Sequence, residues 1–468
     1  MSSLEEVATV TRGRAYLNSL AGRRVTVVGL AKSGVAAARL LRTAGADVTG
    51  TDVKPVAALG REAAGLADLG VRLIGGSGDA ASAFVGADLV VVSPGVSLDG
   101  AQLAPARARR VPIIGELELG WRAMEAETIA ITGTNGKTTT TALIGAVLAQ
   151  QPRPVLVAGN IGTPLCAHAL SFPADGLVVC EVSSFQLESA ATFQPRVAVV
   201  LNITPDHLDR HGTFAAYVDA KARIFANQGP TDCAVLNADD EATRALGARA
   251  QAPVVWFSRQ RDLAHGVFVR GGWIVARLNG HVEEICPLSE IFLRGQHNVE
   301  NVLAATACAL WTGVSPAAIR AAIARFRGVA HRIEWVRELK GVQYYNDSKG
   351  TNVASTLRAL ESFSERIVLI AGGKGKGQAW GPLADAARGR VAQALLIGED
   401  AQKIGAALTA VSVPVTFCRS LQEAVDRART LATPGDVVLL SPACASFDMF
   451  DNFEHRGDVF KKLVERLE

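Results

Sequence analysis

None of the seven cysteines stands in a Cys-x-x-Cys pair. An odd, scattered set suits a reducing cytoplasm with buried thiols, and a cytoplasmic protein is the expectation. Net charge is only +3 over 468 residues, which gives no electrostatic case for nucleic acid as a partner. No apolar run reaches the roughly 18 residues that span a bilayer, so no membrane insertion is expected. The opening MSSLEEVATVTRGRAYL lacks a charged region followed by an apolar one and does not read as a secretory signal. Fixed-period repeats and low-complexity tracts are also missing. What remains is 49% hydrophobic and 20% charged. That composition buries a large core, and the length suggests roughly three domains.

Short β-branched runs alternate with Ala- and Leu-rich helical stretches, the pattern of parallel sheets covered by helices. RVTVVGLAKSGVAAARLLRTAGADVTGTD (24–52) reads strand, turn, helix, strand, and DLVVVSPG (88–95) is a later strand. TIAITGTNGKTTTTALIGAVLAQ (128–150) is a fresh strand, loop and helix, followed by strands at 177–181 and 197–202. The pattern restarts with RIVLIAGG (366–373), ALLIGE (394–399) and DVVLLSP (436–442). Boundaries near 115 and 329 divide the chain into 1–115, 116–328 and 329–468.

TGTNGKTT (132–139) lies between a strand and a helix. Such a loop aims backbone N–H groups and a helix dipole at an anion. Gly133 and Gly136 permit the tight backbone. Lys137 can reach terminal phosphates, and Thr138 can ligate the magnesium that travels with ATP. The strict nucleotide motif wants Gly where Ile131 stands, so this is a variant loop. GLAKSG (29–34) also follows a strand, with Ala31 at the central glycine of a dinucleotide fingerprint and Asp52 ending the next strand. A nicotinamide site, another nucleotide's phosphates and a structural turn all fit it.

Glu181 ends a strand, where a carboxylate in a doubly wound sheet can hold magnesium. His207 follows the next strand, flanked by Asp206 and Asp209. Lys221 reads by itself as a helix-surface lysine. Were it buried with a depressed pKa, its neutral amine could take up carbon dioxide and become a carboxylate-like carbamate.

At these residues the chain resembles the Mur ligase family, the ATP-dependent amino-acid ligases that build the peptide of the bacterial cell wall. The elements that carry the resemblance are TGTNGKTTT (132–140), EVSSFQLE (181–188), LNITPDHLDRH (201–211), KARIF (221–225), GQHNVENVLAA (295–305) and HR (331–332). It covers nearly the whole chain. It implies an α/β protein of three domains: Rossmann-like, a central P-loop ATPase-like domain with a mainly parallel sheet, and Rossmann-like again. YYNDSKGTN (344–352), AGGKGKG (371–377) and LSPACASFDMFDNFEHRGDVF (440–460) resemble the members that add D-glutamate to UDP-N-acetylmuramoyl-L-alanine. Those two molecules are then the expected partners, and a monomer is expected. A ligase for another amino acid or for folate polyglutamate is the nearest alternative. A nucleotide-sugar or NAD-binding module without ligase activity is the alternative of another class.

The resemblance implies the site residues one by one. Gly133, Thr134, Asn135, Gly136, Lys137, Thr138 and Thr139 would hold the ATP phosphates; Asn298, Asn301, Arg332 and Asp347 would surround adenine, ribose or γ-phosphate. Two magnesium ions would be held by Thr138, Glu181, His207 and a carbamylated Lys221. Lys32 and Ser33 match positions at the diphosphate or uridine, and Asp52, Val53 and Lys54 match the uracil segment. Val53 replaces a hydroxyl residue of some relatives. Ser93, Gly95, Asn160 and His207 match substrate-contacting positions. Lys349, Thr351, Lys376, Ser446 and Phe453 would surround the incoming glutamate. Lys137, His207, Lys221 and Lys349 would be catalytic. Lys374 stands where some relatives carry an acid. The implied reaction phosphorylates a carboxylate, and an amine then attacks the acyl phosphate. Arg332 would complete the ATP site by closure about a hinge near 325–331.

Overall fold

The computed structural model describes residues 10–76, 80–375 and 377–468. Three α/β layers carry three sheets. In the first, five parallel strands run in the spatial order Arg72–Gly75, Asp47–Asp52, Arg24–Val28, Leu89–Val92, Ile113–Gly115. The sequence LVVV at 89–92 is buried at every residue, as expected for a strand covered on both faces.

The second sheet has nine strands. Glu127–Thr132 is interior, between Leu177–Glu181 and Val197–Val200, and pairs parallel with both. Val155–Gly159 closes one edge. On the other side follow Cys233–Asn237, Val254–Ser258 and Gly266–Arg270, still parallel. Trp273–Leu278 and His281–Pro287 finish the sheet antiparallel. Because the inner strands are parallel, the loops after Thr132, Glu181 and Val200 leave the same edge of the sheet.

The third sheet runs Glu334–Leu339, Val342–Asn346, Val437–Leu440, Ile367–Gly372, Val391–Ile397, Val415–Phe417, with only the first pair antiparallel. Among the described residues no helix is long and apolar enough to cross a membrane.

Chain contacts define two compact units, one reaching Glu290 and including Glu300–Ile323, the other Ile291–Val299 with Ala324–Glu468. The first two sheets fall in one unit because a single apolar cluster runs through both. Leu20, Leu41 and Leu117 belong to it together with Phe193, Tyr217 and Leu236. The helix Glu116–Ala123 is the connector, and Trp121 meets Phe193 edge-on at 5.7 Å. Glu118 on this helix is fully buried. It accepts from the backbone N–H groups of Ala191, Thr192 and Phe193 and from Arg122, so its charge is paired rather than stranded.

Candidate active site

The loop between Thr132 and Lys137 turns at two glycines with positive φ, Gly133 (153°) and Gly136 (83°). A Cβ at Gly136 would lie 2.3 Å from Asn301 Oδ1, so only glycine fits there. Asn301 also accepts from Thr140 Oγ1 at 3.1 Å. The loop is held from the neighbouring strand end: Asn202 Oδ1 accepts from Asn135 N–H at 2.8 Å, and Asn202 O accepts from Thr134 N–H at 2.8 Å. Thr138 and Thr139 are buried in the first turn of the helix Lys137–Leu148.

Two lysines converge on this loop. Lys137 Nζ donates to Gly133 O at 2.8 Å and to Thr134 O at 2.9 Å. Lys221 Nζ donates to the same Gly133 O at 2.9 Å and lies 4.7 Å from the centre of the Tyr217 ring. Lys221 sits on the helix Phe214–Ala222 with only 1% of its surface exposed. Burial, then the charge of Lys137, hold its pKa well below the ordinary lysine value, against a smaller opposing effect of Asp206. Tyr217, also buried, has its hydroxyl 3.2 Å from Thr134 Oγ1 and so spans lysine and loop.

Glu181 is 3% exposed at the end of its strand. Its Oε1 accepts from Asn160 Nδ2 at 2.8 Å, while Oε2 is buried without a hydrogen-bond partner. An unsatisfied buried carboxylate oxygen is costly, and a divalent cation would satisfy it. The donor chemistry therefore fits magnesium. Among the described residues no three His, Cys, Asp or Glu side chains cluster as a metal cage. Magnesium commonly takes one or two carboxylates and completes its shell with substrate phosphates and water. His207 follows in the left-handed region at φ 51°, at the start of the short helix Leu208–His211. Its ring packs 5.0 Å from that of Phe185 and 6.5 Å from Tyr217, and its Nε2 is 3.6 Å from Asp206.

In the first sheet, the strand order reverses between Arg24–Val28 and Leu89–Val92, where ligand crevices open in such folds. Ser93 Oγ donates to Gly29 O at 2.7 Å across that point. Asp52 accepts from Leu30 N–H at 2.8 Å and from Lys54 N–H at 3.0 Å. This carboxylate thus fixes both loops. Lys32 and Lys54 are exposed, Ser33 is half-buried, Gly95 is open, and Val53 is 75% exposed. Asn160 is exposed and reaches Glu181 rather than this crevice.

In the C-terminal unit, Asp347 follows the strand Val342–Asn346. Its Oδ2 accepts from Ser441 Oγ at 2.7 Å and Oδ1 from Ile333 N–H at 3.2 Å. Burial pushes its carboxyl up to about 7, against the lowering effects of Ser441 and Arg332. Arg332 Nε is buried without a partner, a donor suited to an anion. Asn298 Nδ2 donates to Arg294 O at 2.6 Å. Lys349 lies 5.8 Å over the Phe453 ring, and Thr351 N–H donates to Lys349 O at 2.8 Å. Ser446 is buried; Lys376 lies outside the described residues. Lys374 pairs loosely with Glu399 at 3.9 Å, both side chains more than half exposed.

Four residues with bracing contacts have no role marked by their residue type, although Asn202, Arg210 and Arg456 lie in segments that carry the resemblance. Asn202 and Tyr217 hold the loop between Thr132 and Lys137. Arg456 is 1% exposed and donates to Ser348 Oγ, Ser348 O and Cys444 O, bracing the segments that bear Lys349 and Ser446. Arg210 donates to Val96 O at 3.0 Å. A polar residue beside a glycine loop, or an arginine in a helix, looks the same in sequence whether it braces or is solvated.

Three family profiles match the chain in succession: Mur ligase MurD-like, N-terminal domain over 23–115, Mur ligase middle domain over 131–309, and Mur ligase, glutamate ligase domain over 331–444. The chain belongs to the Mur ligase family. It is 50% identical over 447 residues to the UDP-N-acetylmuramoylalanine--D-glutamate ligase of Acidobacterium capsulatum, covering 95% of this chain and 96% of that one. It is 47% identical to the ligase of that name from Pelotomaculum thermopropionicum, covering 96% and 99%. Among solved structures, UDP-N-acetylmuramate-alanine ligase of Thermotoga maritima superposes with a TM-score of 0.57 at 22% identity, covering 94% and 99%. A pseudomurein peptide ligase type C from Methanothermus fervidus gives 0.56 at 19%, covering 96% and 100%. These two share the fold.

Proposed function

We propose that this chain joins D-glutamate to UDP-N-acetylmuramoyl-L-alanine at the expense of ATP, in the synthesis of peptidoglycan precursors. The substrate assignment rests on the relatives' names at about half identity over nearly the whole length. The observation that carries the chemistry is the convergence of Lys137 and Lys221 on Gly133 O in a phosphate loop whose neighbouring strand ends in Glu181.

The reaction makes an amide from a carboxylate, a poor acyl donor, so the carboxylate is first phosphorylated. Magnesium, when bound, neutralises charge on the triphosphate. The backbone N–H groups after Gly133 cradle phosphate oxygens, and Lys137 leaves Gly133 O to pair with the phosphoryl group in flight. Thr138 and Glu181 would hold one ion. His207 and Lys221 would hold the second, with Lys221 as a carbamate. Its buried, depressed amine is the form that reacts: the nitrogen lone pair forms the N–C bond to carbon dioxide and a proton leaves to solvent. A neutral amine is thereby replaced by an anion, a donor that would suit a divalent cation.

Lys32, Ser33, Asp52, Val53, Lys54, Ser93 and Gly95 are assigned to the nucleotide-sugar, Asn160 and His207 to its reacting end, and Asn298, Asn301, Arg332 and Asp347 to ATP. Lys349, Thr351, Ser446 and Phe453 are assigned to glutamate. The Lys349 ammonium pairs with a carboxylate and the hydroxyls donate hydrogen bonds. One assay tests the whole reading: the purified chain, ATP, magnesium, UDP-N-acetylmuramoyl-L-alanine and each glutamate enantiomer, followed by mass spectrometry. Product from D-glutamate alone is expected. ATP turnover with another amino acid, or none with glutamate, overturns it.

A further inference from the structure

Arg210 follows His207 by three residues. It lies on the helix Leu208–His211, which begins at His207. His207 O accepts from the N–H groups of Arg210 and His211 at 3.1 and 3.0 Å, so the imidazole-bearing turn and this helix move together. One Arg210 nitrogen, Nη2, makes two bonds. It donates to Glu188 Oε2 at 2.6 Å and to Val96 O at 3.0 Å. The guanidinium also lies 4.8 Å over the Phe185 ring, the ring that packs on His207. The Arg210 side chain is only 16% exposed and Glu188 19%, so the pair is shielded from the screening that weakens surface pairs.

Val96 belongs to the other layer. Its N–H donates to Ser93 O at 2.9 Å, and Ser93 Oγ donates to Gly29 O at 2.7 Å. The Val96 side chain packs on Gly29, 3.0 Å from where a Cβ there would stand. From the glycine turn of the first sheet to the His207 turn of the second, the contacts are continuous: Gly29, Ser93, Val96, Arg210, His207. His211 adds a second rivet, with Nε2 3.0 Å from Ser184 Oγ and Nδ1 3.3 Å from Glu188 Oε1. His211 holds the helix to its own domain, and Arg210 reaches across to the other one.

We infer that Arg210 is a positioning residue that sets the His207 turn according to the seat of the nucleotide-sugar. The inference rests on the reading of these two loops as substrate and metal sites. A planar guanidinium is suited to the task because one nitrogen can serve a carboxylate and a carbonyl while the plane stacks on an aromatic face. A lysine offers no such plane. Loss of the tie leaves the ATP loop untouched, since none of the contacts of Arg210 involves residues 132–139.

The test compares kcat, KM for the nucleotide-sugar, KM for ATP and the thermal midpoint in wild type, Arg210→Met and Arg210→Ala. Arg210→Met keeps apolar packing on Phe185. It is expected to lower kcat and raise KM for the nucleotide-sugar, each by about 5- to 30-fold, with KM for ATP within about twofold. Added methylguanidinium is expected to restore part of the activity of Arg210→Ala. Two results overturn the inference: a Met variant with wild-type constants, or losses spread equally over both substrates that track a fallen thermal midpoint and resist methylguanidinium. A wild type that forms no amide overturns the ligase reading instead, and is seen before any variant is compared.

Discussion

Lys137 and Lys221 donate to one and the same acceptor, the carbonyl oxygen of Gly133, at 2.8 and 2.9 Å. Two ammonium ions on one oxygen repel by roughly a few kcal/mol even at a protein-like dielectric. One of them is also buried. The arrangement therefore disfavours a charged Lys221, by burial first and by the nearby Lys137 second.

Lys137→Ala is expected to leave the fold intact and to reduce ligation by about a thousandfold, because charge stabilisation at the moving phosphoryl group is lost. Circular dichroism and product formation check both halves. Ligation at the wild-type rate removes Lys137 from the chemistry.

Lys221→Met separates stability from turnover. The folded-state pKa of Lys221 is depressed below its ordinary 10.5. Between those two values the unfolded chain binds a proton that the folded chain does not, so stability falls as pH drops from about 10.5 toward the folded value. Methionine removes this penalty. In buffer free of carbon dioxide the variant is expected to melt higher than wild type at pH 7, with the gap closing near pH 11, and to be inactive. Lys221→Ala opens the space, and short-chain carboxylates are expected to restore part of its activity. A variant that melts lower at pH 7 and keeps its activity contradicts both arguments.

Asn160 donates to Glu181 Oε1 and leaves Oε2 as the unpartnered atom. Asn160→Ala frees the carboxylate to rotate. The magnesium concentration for half-maximal activity is expected to rise by about tenfold, in line with losses of groups that orient metal ligands. An unchanged magnesium titration shows that Glu181 needs no such guide.

Asp347 is raised from 3.8 to about 7 by burial. The folded protein keeps a proton there that the unfolded chain has already lost. The contribution of this group to stability therefore falls as pH rises from about 4 to about 7. Asp347→Asn is expected to flatten that part of the profile, measured as the thermal midpoint of the full chain across pH 5 to 8. A wild-type profile retained in the variant excludes Asp347 as its source.

Much of the fold was legible because burial on both faces writes itself into the strands. LVVCE and the apolar run of VAVVLN end where the sheet ends, and Glu181 and the Gly133–Gly136 loop fall at those ends for that reason. The antiparallel edge, Trp273–Leu278 with His281–Pro287, was not read from the sequence: its outer strand is exposed over its first four residues and carries no apolar run. The lysine on the helix Phe214–Ala222 read as solvated because nothing in GTFAAYVDAKARIF marks a buried face; the stretch FAAYVDAKA is small and mixed on every side. Its burial comes from Tyr217, one turn earlier on the same helix, and from the loop at Gly133, 88 residues away in sequence. The bracing roles of Arg456 and Arg210 are hidden in the same way, since Ser348 and Val96, the partners across the fold, lie 108 and 114 residues away.

The apolar cluster that runs unbroken from Leu20 through Trp121 to Phe193 joins two sheets into one body. Three sheets thus amount to two compact units, and the first sheet cannot be exchanged as a cassette. Excising it strips solvent cover from Leu117 and Trp121, and a chimera cut at residue 115 inherits an open greasy face in place of a domain boundary.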